Sequence, residues 1–145
     1  MTAGRDILLL DTHVWLWFAL GNADRLGADA RRQIEDAAHG GRLAVSAITV
    51  WEIGMLDVKG RITLGTPCEK WIKSALALPG LRLVGLEPEI AVASARLPGE
   101  FHPDPADRIL AATARALNAT LATADERIIN YSRAGYLKIF DMRKQ

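Results

Sequence analysis

Short apolar runs alternate with helix-patterned stretches along the whole chain, and no other feature restricts its fold as much. Ile7 to Leu10, Leu43 to Val45, Leu81 to Leu86, Thr120 to Thr123 and Leu137 to Phe140 are each too short for a helix. They suit strands, and the first of them suits a strand buried on both faces. Between them the spacing and the end signals predict helices over Thr12 to Leu20, Ala28 to His39, Ala47 to about Val58, Pro67 to about Leu78, Pro88 to about Leu97, and Glu126 to about Ser132. A further amphipathic helix starts at Pro105, with Leu110, Ala114 and Leu117 on one stripe. An α/β chain ordered in this way builds a mostly parallel sheet with helices on both faces, joined by right-handed crossovers. Such sheets place ligands beyond the carboxyl ends of the strands, near the point where strand order reverses. Residues directly after strands are therefore the ones to inspect.

At 145 residues the chain is long enough for one domain, with its core over about residues 7–140, that needs no metal or disulfide staple. A lone cysteine, Cys68, leaves no partner for an internal disulfide and fits a reducing compartment. The N-terminal apolar run is short and ends at Asp11, so neither a signal peptide nor a membrane span is expected, and the chain reads as cytoplasmic. The net charge of +1 advertises neither nucleic acid nor membrane. An apolar content of 50% is at the upper edge for a soluble domain and hints at self-association or a protein partner.

Acidic residues recur at strand ends and helix starts. Asp11 directly follows the first strand, and Asp125 lies two residues beyond the fourth. Either could simply cap the next helix. Asp104, before Pro105, is an ordinary N-cap, which makes the second acid of that turn, Asp107, harder to dismiss: it either favours the helix dipole or holds something. Glu52 is the sharper signal, since every neighbour from Val50 to Leu56 is apolar or glycine and it shares a helical stripe with Ile48, Met55 and Leu56. A carboxylate on a core-facing stripe is costly unless neutralised, paired or bound to a cation. The alternative is that Glu52 and Thr49 mark the narrow solvated face of a short helix. If Asp11, Glu52, Asp107 and Asp125 converge, they repel one another, and a divalent cation removes that penalty. Oxygen-only ligands point to Mg²⁺ or Mn²⁺.

Other polar residues read as background. His13, His39 and His102 show no zinc spacing, and Ser46 reads as a helix cap. Arg108 and Arg127, each within two residues of an acid, suit either a phosphate or a structural ion pair. Trp15, Trp17, Trp51 and Trp71 suit a core or an interface. Trp15 and Trp17 lie about 200° apart on a helix, so at least one aromatic of that segment is expected at the surface.

The segments "LLLDTHVWLW", "SAITVWEI", "DPADRILAATA" and "LATADERI" together resemble the PIN-domain ribonucleases, and among these the VapC toxins of toxin–antitoxin pairs, over about residues 7–140. The resemblance implies a three-layer α/β/α sandwich with a five-stranded parallel sheet. It implies a metal site of Asp11, Glu52, Asp107 and Asp125, supported by Thr12 and Thr123. It also implies Mg²⁺- or Mn²⁺-dependent cleavage of RNA, leaving a 5′-phosphate and a 3′-hydroxyl. The partner it implies is a VapB-like antitoxin whose C-terminal segment fills a groove beside the aromatic helix and reaches the acids with a basic side chain. A homodimer is the other expected use of that apolar surface. The competing readings are a non-toxin PIN nuclease of RNA processing and a non-enzymatic α/β interaction module whose acids are only caps. A haloacid-dehalogenase-like phosphatase would need an Asp where His13 stands, and a nucleotide-binding fold would need a glycine-rich turn after the first strand.

Overall fold

The computed structural model describes residues 6–143. Five parallel strands form one sheet in the order β3-β2-β1-β4-β5: β1 (Leu8–Leu10), β2 (Leu43–Ser46), β3 (Leu81–Val84), β4 (Thr120–Thr123) and β5 (Lys138–Asp141). Seven helices connect them: α1 (Thr12–Leu20), α2 (Ala28–His39), α3 (Ala47–Val58), α4 (Cys68–Leu76), α5 (Pro88–Ala95), α6 (Pro105–Leu117) and α7 (Glu126–Ser132). The expected α/β architecture is present, with helix and strand ends within two residues of the sequence reading.

Alternation along the central strands divides the interior into two cores. Leu8, Leu10, Leu43, Val45 and Ala122 pack under α1, α2 and α4 with Val14, Trp15, Ile34 and Ile53. Leu9, Ala44 and Leu121 face the other way, against Leu110, Ala111, Ala114 and Ile128 of α6 and α7. Each fully buried leucine or isoleucine contributes about 1.5–3 kcal/mol. The result is three layers, helix, sheet and helix.

Strand order reverses at β1. From there the chain steps outward to β2 and β3, then crosses back to β4 and β5 on the other side. The crevice of the sheet therefore opens beyond the carboxyl ends of β1 and β4, where Asp11 and Asp125 follow.

One turn is fixed by contact as well as by backbone angle. Gly80 has φ +86°, and a Cβ there would sit 1.7 Å from the carbonyl oxygen of Ala38, at the end of α2. Gly80→Ala is expected to destabilise the fold by about 3 kcal/mol or more, read as a lower urea midpoint. A loss under about 1 kcal/mol would mean that the turn before β3 does not abut α2 so closely.

Candidate functional site

Each acid is placed by a local rule, and tertiary structure then adds a second task to it. Asp11 is the N-cap of α1: one oxygen accepts from the Thr12 backbone N–H at 2.6 Å, and Oδ2 accepts from the Thr123 hydroxyl at 2.7 Å. Thr123 in turn accepts from the Asp125 N–H at 3.0 Å. The Thr12 hydroxyl donates to Glu52 Oε1 on α3. The two threonines thus tie Asp11 to Glu52 on one side and to the Asp125 turn on the other. Asp125 caps α7 through Oδ1, leaving Oδ2 directed elsewhere.

Asp107 lies in the first turn of α6 with only 8% of its surface exposed, and it caps nothing. Burial, then repulsion from Asp11, Asp104, Asp125 and Glu52, pushes its carboxyl up to about 8. Burial also raises the carboxyl of Asp11, against the bonds from Thr123 and Thr12. The other three sequence-predicted acids, Asp11, Glu52 and Asp125, thus all lie near enough to Asp107 to repel its charge.

A fifth acid joins them. Asp104 is the expected cap of α6, with Oδ2 accepting from the Asp107 N–H at 3.0 Å. Its carboxylate also comes with those of Glu52 and Asp107 into a group whose ligand atoms all lie within 4.8 Å of one another. The capping signal was local and visible, whereas the approach to α3 was not. His102 was missed as well. Its Nε2 lies 3.1 Å from Asp107 Oδ2, but without hydrogen-bond geometry, and among the described residues neither ring nitrogen has a bonding partner. Burial pushes its pKa down, so it adds little positive charge to offset the acids.

The solvated-face reading of α3 is reversed by the structure. Thr49 is fully buried, its hydroxyl without a partner among the described residues, Glu52 is half-buried, and Trp51 and Val58 are the large apolar residues left in solvent, Trp51 57% exposed. On α1, Trp15 is buried and Trp17 half-buried, packed against the core with the Arg25 guanidinium 5.9 Å from its ring centroid. The expected surface aromatic of that helix is therefore largely covered, because the loop after α1 folds back over it. Beside it a cleft of about 770 Å³ runs between α1, α2 and α4, floored by Trp15, Phe18 and Trp71.

An all-carboxylate donor set, partly buried and under mutual repulsion, fits a hard divalent cation. Capping accounts for Asp11, Asp104 and Asp125 but gives Glu52 and Asp107 no task. Asp104→Asn separates the two roles, since asparagine caps as well as aspartate. It is expected to leave the stability of the ion-free protein within about 0.5 kcal/mol while reducing the rise in melting temperature on adding Mn²⁺. An undiminished rise would leave Asp104 as a cap alone.

The PIN domain family matches residues 8–134. The chain is 36% identical over 121 residues to Ribonuclease VapC22 of Mycobacterium tuberculosis, covering 83% of this chain and 88% of that protein. The fold is similar to that in the crystal structure of VapBC2 from Rickettsia felis bound to a promoter DNA fragment, with TM-score 0.67, 18% identity, and coverage of 92% of this chain and 97% of that one. DNA-bound VapBC from Salmonella typhimurium gives TM-score 0.66 at 17% identity, covering 93% and 97%.

Proposed function

The chain belongs to the PIN-domain family, and from that premise we propose that it is a metal-dependent endoribonuclease acting as the toxin of a toxin–antitoxin pair. The observation that carries the chemistry is the convergence of four other acids, Asp11, Glu52, Asp104 and Asp125, on Asp107. Ribonuclease VapC22, a relative across most of the chain, supports the substrate class.

We assign Asp11, Glu52, Asp107 and Asp125 as the residues that would hold the ion, with Asp104 added from the geometry, and Mg²⁺ or Mn²⁺ as the ion. When bound, such an ion polarises a phosphodiester oxygen and makes a water acidic enough to attack. The chain's own residues do the rest. Thr12 and Thr123 fix the orientation of Glu52 and Asp11 by donating to them. The buried position of Asp107 keeps bulk water from screening the charge it contributes. Attack by water rather than by the ribose hydroxyl predicts 5′-phosphate and 3′-hydroxyl ends.

The cleft between α1, α2 and α4 suits the C-terminal segment of a VapB-like partner. Its floor is aromatic, and its rim carries Arg31 and Glu35. The solved neighbours that are VapBC complexes support a partner of this kind. Trp51 and Val58, which α3 leaves in solvent, suit a second copy of the chain.

The test is expression of the chain alone and together with the protein encoded beside it, followed by assay of the purified chain on RNA with and without Mn²⁺. Growth arrest relieved by the neighbour, and ion-dependent cleavage with the stated ends, are expected. A harmless chain that still cleaves RNA would remove the toxin and leave the nuclease. A chain inert toward RNA in Mn²⁺ would remove both.

A further inference from the structure

Two arginines stand inside the acidic motifs, and the structure gives them different work. Arg108 is committed to the backbone: Nε donates to Ser94 O at 2.9 Å, and Nη1 donates to Phe101 O at 3.0 Å and His102 O at 3.4 Å. It fastens the segment between α5 and α6. Arg127, in the first turn of α7, has Nη2 3.6 Å from Asp125 Oδ2 and 3.8 Å from Asp107 Oδ2. Among the described residues its side chain makes no hydrogen bond, and it is 62% exposed.

We propose that Arg127 grips a phosphate of the RNA substrate, and that without a divalent ion its guanidinium stands in as the cation between Asp107 and Asp125. This rests on the nuclease reading above. A polyanion must approach five carboxylates, and with a net charge of only +1 the chain has no large excess of basic charge to draw it in. A positioned cation at the rim of the acids is therefore what permits the approach. The ion pairs of Arg127 are long, solvent-screened and not hydrogen-bonded, so a doubly charged ion takes the same oxygens from it. The released guanidinium stays at the mouth of the site, and its planar fork matches two phosphate oxygens in a way that a lysine ammonium cannot.

The experiment compares the full-length wild type, Arg127→Ala and Arg127→Lys. It uses a short mixed-sequence single-stranded RNA cleaved in Mn²⁺ over a range of salt, and separate calorimetric titration of each protein with Mn²⁺ alone. Arg127→Ala is expected to raise KM roughly tenfold and to make the dependence of log KM on log salt shallower by about 0.7, the value of one single-strand phosphate contact. Arg127→Lys should recover part of the KM and most of the salt slope. Mn²⁺ should bind Arg127→Ala more tightly, because the competing cation has gone. An unchanged KM and salt slope would overturn the phosphate contact, even if kcat fell. Weaker Mn²⁺ binding would instead make Arg127 an organiser of the acids and overturn the stand-in role. Wild-type protein inert toward the RNA would take the nuclease reading down with the proposal, whereas active wild type matched by Arg127→Ala would take down the proposal alone.

Discussion

Asp107→Asn is expected to abolish RNA cleavage while making the ion-free protein more stable. The loss should be on the order of a thousandfold or more, the scale on which residues that support developing charge act. The gain in stability follows from the raised carboxyl. With a folded-state value of about 8, against 3.8 ordinarily, the folded protein holds a proton that the unfolded chain has released. Stability is therefore fully present below about pH 4 and is lost as pH rises towards 8, at up to about 1.4 kcal/mol per pH unit. Asparagine mimics the protonated acid and cannot ionise in the unfolded chain, so this loss disappears. The two proteins should melt together near pH 4 in chelator, and the variant should melt higher at pH 8 by roughly 10 °C or more. Wild-type activity in the variant would remove Asp107 from the site. Equal melting at pH 8 would mean that its burial carries no charge penalty.

The same acids make ion binding and proton release one process. Mn²⁺ should raise the melting temperature of the wild type strongly at pH 8 and hardly at all at pH 5, because at the lower pH Asp107 retains its proton. At a hundredfold excess over Kd the stabilisation is about 2.7 kcal/mol, or roughly 5–10 °C for a chain of this size. Activity should rise over the same interval. Glu52→Gln should blunt the shift at pH 8. An equal shift in that variant would mean that Glu52 serves Thr12 alone, and a shift independent of pH would place the ion away from the raised carboxyls.

What could be read from the residues was what is decided locally. The helix start at Thr12 and the caps Ser46, Asp104 and Asp125 follow from side chains bonding to backbone a few residues away, and the ends at Leu20 and His39 fall at the glycines that follow them. The alternation of strand and helix then left little freedom beyond a parallel sheet. The placing of acids after strands could be read for the same reason. Their number could not, because the approach of Asp104 to Glu52 joins the start of α6 to α3 across the sheet crevice.

Tertiary packing decided what local pattern left open. The bond from Thr123 to Asp11 spans 112 residues, and that from Thr12 to Glu52 spans 40. On α3 the helical spacing allowed Thr49 to face solvent, yet packing buried it and left Trp51 outside. A helix has several faces, and its neighbours choose which one is covered. Arg108 and Arg127 sit equally close to acids in sequence, but Arg108 turns onto the carbonyls of Ser94, Phe101 and His102 while Arg127 reaches over the acids into water. Composition and spacing are blind to that difference, because it depends on which backbone oxygens the fold leaves unpaired near each guanidinium.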